Sequence, residues 1–285
     1  MTPVCTLLIC AITALVSLAA FSRREIMDRL MFRPDRILAH KEWDRLLGSG
    51  LIHLNFPHLA FNLFTLFLFG EVIEAMYGGL TLLGIHVAAV GCGSLLSLYL
   101  HRFQDYSALG ASGGVCGVMF ASIFLVPGMS VSMLFLPLWI PGPLFALVYL
   151  AGTFVALRRG TGRIGHDAHF GGALAGLVIA LALAPRNCLE APWLFGGSLL
   201  VAAGALYVLA TDPFGYGKRW FSAGTGNHQP TDRFQRYDEN LARRKESDEI
   251  DRILDKINER GLHSLTQKER ATLNRASGPG KPSGR

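Results

Sequence analysis

Apolar runs of about 20 residues recur along most of this chain, and that recurrence restricts the fold more than any other feature. A helix needs about 20 apolar residues to cross roughly 30 Å of hydrocarbon. Backbone polar groups in lipid must find partners inside the segment, which at this run length selects helices. The runs lie approximately at residues 4–20, 56–77, 79–100, 112–127, 138–157, 166–185 and 192–210. The reading is an all-α fold, a polytopic membrane helical bundle with seven spans. For the first run a cleaved signal peptide stays open as an alternative: Ala19 and Ala20 offer a small-residue cleavage site, but no Lys or Arg precedes the run.

Charge is concentrated outside these runs. Of a net charge of +6, residues 213–285 carry +5, from 15 Lys/Arg against 10 Asp/Glu. A solvated tail facing solvent or anionic lipid accounts for this without nucleic acid. The five cysteines (Cys5, Cys10, Cys92, Cys116, Cys188) form no CxxC pair and have no metal-ligand spacing. They read as small apolar side chains, and neither a metal nor an organic cofactor is expected.

Four regions follow: a transmembrane domain over 1–211, a flexible polar linker over 212–247, a small helical hairpin over 248–277 and a disordered tail over 278–285. Within the first, residues 21–52 mix seven basic residues with Leu, Ile, Met, Phe and Trp, as expected of an interfacial segment. In the hairpin, Ile250, Ile253, Leu254 and Ile257 recur at helical spacing, Gly261 is a stop, and Thr266 with Glu269 makes a capping box. Its apolar face is too small to fold strongly alone, which leaves two readings open: docking on the membrane domain or on a partner, or a partly disordered tail.

Two residues inside the apolar runs carry the chemistry: Ser112 in Gly110-Ala111-Ser112-Gly113-Gly114, and His169 in Ala168-His169-Phe170-Gly171-Gly172. Polar groups at membrane depth are costly and point to function. Serine is a weak nucleophile that needs an adjacent base, and histidine is suited to that work. Gly113 and Gly117, and Gly172 and Gly176, each lie four apart, which would let two helices approach closely enough for the pair to meet. His58 and Asn62, also four apart, suit an oxyanion site beside the nucleophile's own N–H. Asp167 lies about 200° around the helix from His169, and Asp105 falls in a loop where no spacing directs it to the histidine, so a Ser-His dyad is inferred. Bland roles stay open for each residue alone: a packing serine, a bundle histidine, a helix-to-helix bond.

Gly110-Ala111-Ser112-Gly113 resembles the GxSG motif of the rhomboid intramembrane serine proteases. Ala168-His169 followed by Gly172 and Gly176 resembles their AHxxGxxxG motif, and His53, His58 and Asn62 resemble their His-His-Asn element. The resemblance runs from about Arg45 to Ala184 in the family's order. It implies a rhomboid-like six-helix core, here with a seventh transmembrane helix, whose nucleophile starts a short buried fourth helix and whose base lies on the sixth. It further implies Ser112 as nucleophile, His169 as base and then acid, and Asn62, His58 and the Ser112 N–H as oxyanion donors. The implied partners are transmembrane protein substrates and membrane lipid, and the implied setting for this chain is that of a multi-pass integral protein of a bacterial cell membrane. Inactive relatives often carry proline before the serine, whereas Ala111 precedes it here. The hairpin also resembles an extension found on some bacterial members.

The chain departs from the family pattern in three ways. Many members place Tyr one turn after the serine to stack on the histidine; Cys116 stands there. Asp44 separates Trp43 from Arg45, which the family usually joins. Basic residues crowd the first connection and the 158–163 loop, so the positive-inside rule predicts a site opening inward, opposite to the family's usual orientation; orientation stays open. The rival function is a non-catalytic rhomboid-like protein that binds or escorts transmembrane helices. A histidine-relay transporter lacks an inverted repeat and a second acidic group.

Overall fold

The computed structural model describes residues 2–133, 136–159, 165–211 and 249–276, which fall into two compact units separated within the 212–248 stretch. The expected linker over 212–247 and tail over 278–285 lie outside the described residues.

The first unit is helical. Its long helices are α1 (Val4–Ser22), α5 (Phe56–Tyr77), α6 (Gly79–His101), α7 (Ser112–Leu125), α8 (Gly142–Arg159), α9 (His166–Leu183) and α11 (Pro192–Thr211); α2 (Arg24–Leu30), α3 (Pro34–His40), α4 (Arg45–Gly48) and α10 (Pro185–Cys188) are short connectors. Five of these helices (α1, α5, α6, α9 and α11) are long and apolar enough to cross a membrane. Helix α7 has only 14 residues, and α8 ends in Arg158 and Arg159. Apolar side chains cover the outside, Leu80 being 86 % and Leu200 75 % exposed, a surface suited to lipid.

Local chemistry sets several boundaries. Asn55 caps α5 by accepting the His58 N–H at 3.0 Å, and Pro57 sits in the first turn, where its missing N–H costs nothing. Gly78, at φ 86°, ends α5 and leads directly into α6. Helix α1 is capped from outside: the Glu74 carboxylate accepts the N–H groups of Cys5 and Thr6 at 2.8 and 2.7 Å and the Thr6 hydroxyl at 2.7 Å. An anion at a helix N-terminus is favoured by the aligned peptide dipoles. No pattern around Glu74 marks it for this role, yet it fastens α1 to α5.

An antiparallel hairpin of β1 (Ser130–Met133) and β2 (Leu136–Pro141) joins α7 to α8. The span read as 138–157 therefore starts later, at Gly142. Pro137, Pro141 and Pro143 resist a helix interior, each lacking an N–H and clashing with the preceding turn.

Every residue of α7 from Gly113 to Leu125 is buried, so this helix forms the centre of the unit, against α5, α6 and α9. Its approach to α9 is backbone to backbone. A Cβ at Gly172 would overlap the Gly113 carbonyl oxygen, one at Gly176 that of Gly117, and one at Gly117 would lie 2.9 Å from Gly172 O. The four-residue glycine spacing thus creates the close crossing that the sequence suggested.

The second unit contains α12 (249–260) and α13 (Gln267–Ala276). Gly261 turns the chain at φ 76°. Glu269 accepts the Thr266 N–H at 2.8 Å while the Thr266 hydroxyl accepts the Glu269 N–H at 3.3 Å, closing the capping box. Lys256 reaches across to Glu269 at 2.9 Å. Ile253 and Leu265 are buried, but Leu254, expected on the apolar face, is exposed.

Candidate active site

Ser112 is the first residue of α7 and follows a turn that only glycine can make: Gly110 has φ 129°, and a Cβ there would lie 2.8 Å from His58 Cε1. Residues between α1 and α5 hold this turn and the stretch of chain leading into it through three contacts. Phe32 and Ala108 exchange backbone hydrogen bonds of 2.9 and 3.1 Å. The Gly110 N–H donates to Ser49 O at 2.9 Å, and the Ala111 N–H donates to His53 Nε2 at 3.2 Å.

That last bond fixes the His53 tautomer. Because Nε2 accepts, Nδ1 carries the hydrogen and donates to Ser17 Oγ at 2.9 Å, and Ser17 passes its own hydrogen to Leu51 O at 2.8 Å. Burial, followed by the neighbouring His58 ring 4.9 Å away, pushes the His53 imidazole down to about 4. His53 is therefore a neutral strut linking α1 to the serine turn. Behind it, buried Arg45 donates to Asp28 O at 2.6 Å and Met31 O at 2.8 Å and pairs with Glu42, so it anchors the loop even with Asp44 between it and the exposed Trp43.

Across the α7–α9 crossing, His169 Nε2 lies 2.7 Å from Ser112 Oγ, hydrogen-bond distance for a hydroxyl donating to an imidazole. Both residues are half-buried. On the far side of the ring, Nδ1 faces the Tyr149 hydroxyl at 3.4 Å, and that hydroxyl lies 3.0 Å from Cys116 Sγ. Asp167 is occupied elsewhere, 3.1 Å from His101 Nε2 and 3.3 Å from the Tyr106 hydroxyl. The Tyr106 ring stacks on His101 at 3.7 Å, and burial together with Asp167 raises its phenol above the ordinary range. This cluster ties the loop before Ser112 to the start of α9.

Asn62 is buried and spends one amide hydrogen on the His58 carbonyl at 2.9 Å, leaving the group a second N–H. The His58 ring packs on Gly110. The N–H groups of Ser112, Gly113 and Gly114 open α7, where helix geometry gives them no partner four residues back. Ser112, His169, His58 and the four motif glycines Gly110, Gly113, Gly172 and Gly176 are thus gathered around one crossing, with Asn62 one turn beyond His58. The sequence did not reveal Ser17, Ser49 and Phe32, whose contacts are distant in the chain. Tyr149 carried a signal, a lone phenol within an apolar run, whose hydroxyl needs a partner when buried.

Residues 40–186 match the Rhomboid domain family model, and residues 235–279 match a family of unknown function, DUF6576. The chain is 30 % identical over 178 residues to rhomboid protease GluP of Bacillus subtilis, covering 61 % of this chain and 33 % of that protein. It is 28 % identical over 178 residues to rhomboid protease GlpG of Haemophilus influenzae, covering 61 % of this chain and 87 % of that protein. It is also 28 % identical over 141 residues to the mitochondrial rhomboid protein 1 of Saccharomyces cerevisiae, covering 47 % and 40 %. Alignment with the first matched relatives spans a third to a half of their lengths. With its family model covering half of the sequence and its helices suited to a bilayer, the chain is an integral membrane protein of the rhomboid family.

Proposed function

We propose that this protein is an intramembrane serine endopeptidase that cleaves transmembrane helices of other membrane proteins through a Ser112–His169 dyad. The 2.7 Å contact between His169 Nε2 and Ser112 Oγ carries this reading. His169 removes the hydroxyl proton as Ser112 Oγ bonds to a backbone carbonyl carbon of the substrate, and the carbonyl π pair moves to oxygen. The Ser112 N–H, with Asn62 and His58 as side-chain donors, receives that oxyanion. Collapse breaks the C–N bond, and the imidazolium gives its proton to the departing amine. Water, deprotonated by the same imidazole, then attacks the acyl-enzyme and restores Ser112.

The gathered donors favour catalysis over the helix-escorting alternative, because binding alone needs no activated hydroxyl. Relatives named rhomboid proteases support the same choice. The test is cleavage in proteoliposomes of reporters, each with one transmembrane helix containing small residues beside a helix-breaking one. Wild type is expected to release fragments, and Ser112→Ala none. Equal release by both would remove the assignment.

A further inference from the structure

The base in this site needs something to hold its ring, and no carboxylate among the described residues does so: Asp167 bonds to His101 and Tyr106. Resting on the serine-protease reading, we propose that Tyr149 is the positioning residue for His169. Its hydroxyl accepts the Nδ1–H and holds the ring in the tautomer whose Nε2 can take the Ser112 proton, while Cys116 holds the hydroxyl in turn. The bonds form one directional chain. Ser112 O–H donates to His169 Nε2 (2.7 Å), His169 Nδ1–H donates to Tyr149 O (3.4 Å), and Tyr149 O–H donates to Cys116 Sγ (3.0 Å).

Each donor is used once: the first two directions follow from the requirement that Nε2 be free to accept, and the third from the phenol O–H being a stronger donor than the Cys116 thiol. Which imidazole nitrogen carries the proton is set by the bond that the other one makes. A phenol does this without placing a second charge at membrane depth, where an unpaired carboxylate is costly. The phenol is itself fixed. Its ring packs edge-on to Phe120 at 5.7 Å and against Phe145 at 5.8 Å, so α7 and α8 both set its direction. The 3.4 Å bond is long, as catalytic hydrogen bonds often are before substrate binds, and it strengthens as the ring gains positive charge. Cys116 also acquires a role in this arrangement, since it occupies the first turns of the nucleophile's own helix and couples that helix to the base through Tyr149.

The test uses the full-length protein in detergent and a rhodamine fluorophosphonate as probe, comparing wild type, Tyr149→Phe and Tyr77→Phe. Tyr77 is a fair control because its hydroxyl is also bonded, to Leu125 O at 2.8 Å and to the Asn187 amide at 3.3 Å. Tyr149→Phe is expected to lower kinact about threefold to tenfold, the effect of one modest hydrogen bond, with KI unchanged. Its melting temperature should fall no further than that of Tyr77→Phe, whose kinact should equal that of wild type. Nitrogen-15 spectra of labelled histidine should show the His169 proton moving from Nδ1 towards Nε2 in Tyr149→Phe alone. A Tyr149→Phe protein that labels at the wild-type rate, or whose loss follows its melting temperature, overturns the inference and leaves the dyad standing. Folded wild type that does not label at all overturns the dyad, and the inference with it.

Discussion

The α7–α9 crossing predicts a sharp response to the smallest possible enlargement, Gly172→Ala. The new methyl would sit 2.7 Å from the Gly113 carbonyl carbon and 3.0 Å from its Cα, besides overlapping the carbonyl oxygen. Carbon atoms pack at about 3.5–4.0 Å, so the helices must part locally by about 1 Å. Added to the 2.7 Å between Ser112 Oγ and His169 Nε2, that movement takes the pair beyond hydrogen-bonding distance. Overpacking of this kind costs about 1–3 kcal/mol, and a misplacement of about 1 Å slows chemistry about 100-fold. The assay is the fluorophosphonate labelling rate beside thermal unfolding in the same detergent. Gly204→Ala is the control, because a methyl there meets nothing within 4 Å. Gly172→Ala should lose about two orders of magnitude in labelling at temperatures where it remains folded, and Gly204→Ala should match wild type. If the two variants behave alike, the close crossing does not set the catalytic geometry.

Three other perturbations have defined outcomes. His53 is buried neutral with its imidazole pushed down to about 4 from 6.5, so its stabilisation is complete above about pH 6.5 and is lost as pH falls towards 4. That lowering corresponds to a contribution on the order of 3 kcal/mol, so wild type should melt progressively lower over this window and His53→Gln should show a shallower pH dependence. Arg45→Ala leaves the Asp28 and Met31 carbonyls and Glu42 without their guanidinium partner, at a cost of roughly 3 kcal/mol; limited proteolysis should then cut residues 21–52 first. Glu269→Ala opens the capping box and releases Lys256, so amide exchange should quicken across Gln267–Ala276 while labelling of Ser112 is unchanged.

What the sequence could reveal was whatever local spacing encodes. The four-residue separations of Gly113 and Gly117, and of Gly172 and Gly176, specify a face on each helix, and those faces meet. The offset between Asp167 and His169 likewise ruled the acid away from its neighbour, and Asp167 turns to His101 and Tyr106. Thr266 and Glu269 encode a cap within four residues, and it forms. What stayed hidden depends on partners far along the chain. The 21–52 connection reads as a basic interfacial segment, yet Phe32, Ser49 and, just beyond it, His53 hold the serine turn, contacts chosen by packing and not by periodicity. Glu74 lies 68 residues from the helix end it caps. The hairpin of β1 and β2 was missed for another reason: its apolar composition imitates a span, and only its prolines argue otherwise.

Whether His169 activates Ser112 inside a membrane bundle is tested most directly by mass spectrometry of the protein after brief exposure to a fluorophosphonate in detergent. A single adduct mapped to Ser112 is expected, absent from Ser112→Ala and from His169→Ala although both variants retain the wild-type melting profile. An adduct that forms equally well in His169→Ala, or a folded wild-type protein that takes up none, would contradict that activation.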